Sequence, residues 1–304
     1  MDTAELARIV LTLLSIVGVG WLLRATGILS ADDARPIHAV IIYVGLPALT
    51  FRAVHPAPLG PELAVIAGIA WAVFAVTAAV AWLLARAMRL PRRVAGGFIL
   101  AAALGNTGYI GYPVSQAILG DEGLVRAIFY DVFGTVGALL MVGLLIAQRY
   151  GDRVGPPLNL FHEVARFPAV LALVAAFVLR PFPVPEVVRS GLGALASLVV
   201  PLIMLSVGLS LEVRRLADRP LALGALGVVR LLFAPLVALV IGGLLLDEPA
   251  AVRLVALQAG MPTMMLSIVI GGRFGLDTEF LAAAVVLTTM ASVVTIPLVQ
   301  LIAG

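Results

Sequence analysis

The sequence predicts an all-α membrane protein of ten transmembrane helices in a five-plus-five inverted repeat, with helices 4 and 9 broken. Three observations predict it. Of 304 residues, 62% are hydrophobic and only 12% charged, with a mean hydropathy of +1.13, whereas a soluble domain is about 25% charged. The length holds about ten units of roughly 30 residues, each a span of roughly 20 plus a short connection, and leaves no room for a sizeable soluble domain. Gly and Pro landmarks recur at one offset: Pro47 to Pro201 is 154 residues, and Gly105 to Gly260 and Gly120 to Gly275 are 155 each. Five spans per half is an odd number, so the second half is inserted upside down relative to the first. Chance matching of Gly and Pro, which are common in membrane helices, is the competing reading.

Apolar runs between charged or Pro/Gly-rich breaks place spans near 4–23, 34–54, 62–86, 93–119 and 123–148, then 163–180, 186–211, 220–246, 250–273 and 278–302. Residues 1–148 form the first repeat, the polar stretch 149–162 with Gly155, Pro156 and Pro157 a cytoplasmic linker, and 163–304 the second repeat. Asp2 and Glu5 stand where a signal peptide would be basic, so span 1 is retained. Ser30 and Asp33 have capping-box spacing before span 2, while Asp218 with Pro220 and Glu248 with Pro249 suit helix N-termini.

All 20 basic residues are arginine. With both termini outside, 13 of them fall in inner loops: Arg24, Arg35, Arg86, Arg89, Arg92, Arg93, Arg149, Arg153, Arg166, Arg214, Arg215, Arg219 and Arg273. Six fall outside, and Arg230 lies within span 8. This orientation accounts for the net charge of +3 without nucleic acid, for which a basic stripe with stacking aromatics is missing. With no cysteine, disulfides and thiolate chemistry are excluded.

The most informative segment is Gly105-Asn106-Thr107-Gly108-Tyr109-Ile110-Gly111-Tyr112-Pro113, in the middle of span 4. Pro113 removes a donor and clashes with the preceding turn, and the glycines lower helix propensity, so backbone groups are freed at midplane depth. Such groups are tolerated only in protein or against a watery cavity. Span 9 carries the counterpart, Gln258-Ala259-Gly260-Met261-Pro262-Thr263. Paired interrupted helices point to a transporter's substrate site, here Gly105, Asn106, Thr107, Gly108, Pro113, Gln258, Gly260, Pro262 and Thr263; a pair of ordinary proline kinks is the alternative.

Asp131 in span 5 and Arg230 in span 8 are the deep charges. At 1.5 Å per residue both lie roughly 14 Å from a helix end, near the midplane. An aspartate there costs about 2.5–3.5 kcal/mol and needs a partner, a cavity or a proton. The two readings are an ion pair between them and a substrate or proton-coupling role. Catalysis has little to stand on. Tyr130-Asp131 lacks a second intramembrane aspartate, His38, His55 and His162 are scattered without metal-ligand spacing, and no G-x-S-x-G elbow exists. The chain is therefore expected to be neither an enzyme nor dependent on a metal or cofactor. A non-transporting membrane receptor stays open.

Ten spans in inverted halves, Leu46-Pro47 in span 2, and the Gly105-Asn106-Thr107-Gly108 run closing at Pro113 resemble the auxin efflux carrier family in its bacterial branch. The resemblance covers the whole chain. It implies the crossover-helix fold shared with bile-acid symporters, with a scaffold domain and a transport domain. It further implies export or exchange of small organic anions such as auxin, malate or malonate, and leaves a homodimer open. Asn106 takes the place of the crossover asparagine. The plant branch has a second amide at helix 9, where this chain has Met261, Pro262 and Thr263, so auxin itself is a poor fit. A small organic anion carried across the bacterial inner membrane is the expectation, with a sodium-coupled bile-acid-symporter-like carrier and an intramembrane enzyme as alternatives.

Overall fold

The computed structural model describes residues 3–152, 168–210 and 219–303. Every regular element among them is helical: α1 (Thr3–Ala25), α2 (Ala34–Val54), α3 (Glu62–Ala87), α4 (Arg92–Ala103), α5 (111–119), α6 (121–150), α7 (Pro168–Val178), α8 (Glu186–Leu209), α9 (Pro220–Leu245), α10 (Pro249–Ala259), α11 (Leu266–Phe274) and α12 (Thr278–Ala303). Among the described residues, six helical runs are long and apolar enough to cross a bilayer: Ala34–Val54, Glu62–Ala87, Gly111–Tyr150, Glu186–Leu209, Pro220–Leu245 and Thr278–Ala303. The chain is a multi-pass membrane protein, helical throughout the regular elements of its described residues. Large apolar side chains such as Leu22, Tyr43, Val187 and Leu244 accordingly lie on the exterior, where lipid is as apolar as they are.

Packing sorts the helices into two groups that cut across the sequence halves. One contains α1 with α8 and α2 with α7; the other gathers α3, α4, α5 and α6 with α9, α10, α11 and α12. Contacts between the groups are few, chiefly α2 against α5 and α1 against α12 and α5. Two glycines turn the chain at matching points. Gly120 (φ 69°) separates α5 from α6 and Gly275 (φ 77°) ends α11; positive φ costs glycine nothing sterically.

Local bonding departs from the ideal helix where the sequence demands it. In α2 and α9 the ladder widens to i→i+5 over Ile41–Gly45 and Val229–Phe233, just before Pro47 and Pro235. A proline has no N–H to return to the carbonyl four residues back, and its ring needs room there. The same widening in α6 spans Tyr130–Val136. Asp131 and Arg230 thus both sit in π-helical turns, a local geometry frequent at functional sites.

Of the expected helix starts, Ser30 and Asp33 bond one another: the Ser30 N–H and hydroxyl each donate to the Asp33 carboxylate at 2.7 Å. These bonds hold the Asp33 carboxyl below the usual carboxylate range. Glu248 precedes α10 as expected but does not cap it with its side chain. Its carboxylate goes instead to Arg126, which also bonds Glu62 at 2.9 Å and lies 3.9 Å from Glu122. A buried guanidinium competes successfully for a nearby carboxylate, and here it ties together the starts of α3, α6 and α10. The Asp218 start, residues 153–162 of the linker with His162, and the beginning of span 6 lie outside the described residues.

Candidate functional site: the helix crossover

The second group is organised around two breaks that cross. After Ala103 the chain becomes extended at Leu104 (φ −104°, ψ 113°), and after Ala259 it runs through Gly260 to Met264 without helix. The two segments pair antiparallel, Gly105 opposite Thr263. Asn106 N–H donates to Pro262 O at 2.7 Å and Met264 N–H to Leu104 O at 3.0 Å. Backbone groups freed by each break are thereby satisfied by the other, which is what permits non-helical backbone at membrane depth. Thr263 locks the junction, its N–H donating to Thr288 Oγ1 at 3.0 Å and its hydroxyl to Ala101 O at 2.8 Å.

Pro113 plays a different part from the expected one. It occupies the first turn of α5, where an N–H would have no intrahelical acceptor, so it starts the second half-helix rather than breaking the first. The break lies upstream, at Gly105 to Gly108. Within it the Asn106 carbonyl accepts from Ile110 N–H (3.2 Å) and Gly111 N–H (3.0 Å), closing a tight turn into α5.

The two deep charges flank the break without pairing. Arg230, 2% exposed, donates to the carbonyls of Ala102 (3.3 Å) and Ala103 (3.0 Å) and to that of Ala259. One guanidinium therefore caps the C-terminal ends of both α4 and α10, where unsatisfied carbonyls gather negative charge. Asp131, 4% exposed, accepts from the hydroxyls of Thr107 and Tyr112, the latter at 2.8 Å. It stands at the opposite pole, the start of α5, where a carboxylate complements the helix dipole. The expected Asp131–Arg230 ion pair is replaced by these separate partnerships, because the crossing segment stands between them. A Cβ at Gly105 would lie 3.4 Å from the Arg230 guanidinium carbon, and one at Gly108 3.0 Å from Asp131 Oδ2.

Gln258, fully buried, donates to Ser115 Oγ at 3.2 Å, and a Cβ at Gly111 would collide with its amide. The positions singled out from the sequence thus converge on one junction. Tyr112, from the Gly105–Pro113 run, and Ser115 and Thr288 complete it; the signal of the last two was a hydroxyl inside an apolar run, which periodicity treats as neutral. Asn106 Nδ2, Gln258 Oε1 and Arg230 Nε are enclosed by protein without a hydrogen-bond partner. A cavity of about 10 Å³, lined by Gly105, Thr107, Tyr130, Thr135 and Arg230, is the size of roughly one water.

A family model described as "Membrane transport protein" matches residues 7–155 and 159–300. The chain belongs to this family. It is the family of the auxin efflux carriers, so the resemblance read from the Gly105–Pro113 run holds over the whole chain. Curated relatives agree in length as well as kind. An uncharacterized transporter of Methanothermobacter thermautotrophicus is 33% identical over 296 residues, 95% of each chain. Another, from Methanocaldococcus jannaschii, is 29% identical over 299 residues, 95% of this chain and 96% of the relative. A Rhizobium meliloti protein described provisionally as a malonate transporter is 25% identical over 308 residues, 96% of this chain and 94% of its own. As a member of the membrane transport protein family, the chain is a transporter whose crossover is the candidate site.

Proposed function

We propose that this chain is a secondary transporter of a small organic anion, a carboxylate such as malate, malonate or an auxin-like acid, working by alternating access in the bacterial inner membrane. The observation that carries this reading is the crossing of two broken helices around a buried amide, Asn106, whose Nδ2 has no protein partner. A carboxylate would accept from that amide beside half-helix starts whose N–H groups and positive dipole ends favour an anion. Arg230 acts indirectly, since its bonded N–H groups are committed to the carbonyls of α4 and α10. The provisional malonate assignment of the Rhizobium relative supports a dicarboxylate as the first ligand to try. A screen of mono- and dicarboxylates against the detergent-purified protein is expected to find a ligand that raises its melting temperature, since a site ligand at a hundredfold excess over Kd contributes about 2.7 kcal/mol. No stabilisation by any of them would remove the anion reading.

The arrangement proposed for this carrier is ten spans in two inverted repeats, 1–148 and 163–304 joined by 149–162, with both termini outside. The matching turns at Gly120 and Gly275 and the exchange of partners between α1–α8 and α2–α7 support it. Reporter fusions after Arg153 and Arg215 are expected to read cytoplasmic, and fusions after Arg189 and at the C-terminus outside. A cytoplasmic C-terminus would defeat the inverted repeat.

A further inference from the structure

Asn106 has a counterpart across the boundary between the two helix groups. His38 lies one turn into α2, in the first group, and its ring meets that of Tyr109 edge-on, with centroids 5.8 Å apart and planes at 88°. Tyr109 belongs to the crossover itself, three residues after Asn106, inside the turn closed by Ile110 and Gly111 N–H on the Asn106 carbonyl. Nε2 of His38, like Nδ2 of Asn106, is enclosed by protein and has no hydrogen-bond partner. A buried polar atom left unpaired costs about 1–3 kcal/mol, so one such atom on the ring packed against Tyr109 and another on the residue three before Tyr109 invite a ligand that accepts from both. His55 offers no such opening, because its Nε2 lies 3.0 Å from Leu179 O.

We propose that His38 is a substrate-contacting, specificity-determining residue, donating from Nε2 to the same carboxylate that Asn106 holds from the other helix group. This rests on the reading of the crossover as an anion site. Donation to a carboxylate selects the tautomer, or the protonated ring, that carries a proton on Nε2. The contact has a mechanical consequence. An anion held by α2 and the crossover together favours only the arrangement of the two groups in which both donors reach it, so occupancy biases their relative position. A ligand bound by the crossover alone would bind equally in every arrangement and bias nothing.

The test uses malonate, or whichever carboxylate stabilises the wild-type chain most, with the full-length protein in detergent. His38→Phe keeps a ring against Tyr109 and removes the donor, and is expected to weaken binding about tenfold or more, as loss of a charge-assisted hydrogen bond would. His38→Gln restores a donor and is expected to recover most of the affinity. A purely packing role would move the ligand-free melting temperature in both variants and leave affinity unchanged. Should His38→Phe fail to fold, the imidazole nitrogen resonances of the isotopically labelled wild type decide, because the Nε2 signal of His38 is expected to shift when malonate is added. Wild-type affinity in His38→Phe, or an unmoved Nε2 signal in a chain that malonate stabilises, overturns the proposal. If Asn106→Ala loses the stabilisation while His38→Phe keeps it, His38 alone is wrong; if no carboxylate stabilises the wild type, the crossover reading falls with it.

Discussion

Asn106→Ala is expected to yield a folded, inserted carrier that has lost anion-dependent stabilisation. The backbone of Asn106 makes the structural contacts, its N–H to Pro262 O and its carbonyl to Ile110 and Gly111, and alanine preserves all three. The side-chain Nδ2 makes none, so its removal takes no hydrogen bond from the protein itself. Losing a hydrogen bond to a charged ligand group costs about 1.5–3 kcal/mol, or roughly ten- to a hundredfold in affinity. Melting curves with and without the stabilising carboxylate check this. An Asn106→Ala chain stabilised like the wild type would place the anion elsewhere.

Arg230→Gln is expected to be the most destabilising single change at the crossover. Its guanidinium serves the carbonyls of Ala102, Ala103 and Ala259 at once, and glutamine cannot span both half-helix ends. Stranding buried carbonyls of this kind costs about 1–3 kcal/mol each. Asp131→Asn is expected to cost far less, because the hydroxyls of Thr107 and Tyr112 can turn from donating to accepting. With separate partners, the double variant is expected to fall by about the sum of the singles. Unfolding of the three variants in detergent measures the cycle. Recovery of stability in the double variant would restore the direct ion pair that the sequence suggested.

That ion pair shows where sequence reading reaches its limit. Depth along a helix follows from counting residues, and it placed Asp131 and Arg230 at one level; azimuth does not, and each points at a different pole of the broken helix. The π-helical turns at Tyr130–Val136 and Val229–Phe233 rotate both residues relative to an ideal helix, which periodicity cannot anticipate. Span limits were far more legible. The apolar run at 34–54 coincides with α2, and 62–86 ends one residue before α3 does, because charged and Pro/Gly breaks mark where the chain leaves lipid. The crossover was legible for the same reason, as glycines and prolines where helix was required. Pro113 was visible, but its function depends on which side of the break begins the next helix. His38 stayed hidden because a lone histidine four residues into an apolar run signals nothing until Tyr109 is brought against it from another helix.

Counterflow in proteoliposomes tests the central claim most directly, because it needs neither the direction of net transport nor the coupling ion. Vesicles loaded with unlabelled malonate, or with the carboxylate that stabilises the protein most, are expected to accumulate the labelled anion when they carry the wild-type chain and to stay at the protein-free level with Asn106→Ala. Equal accumulation by both proteins would contradict the crossover as the site, and no accumulation by the wild type with any stabilising carboxylate would contradict anion transport itself.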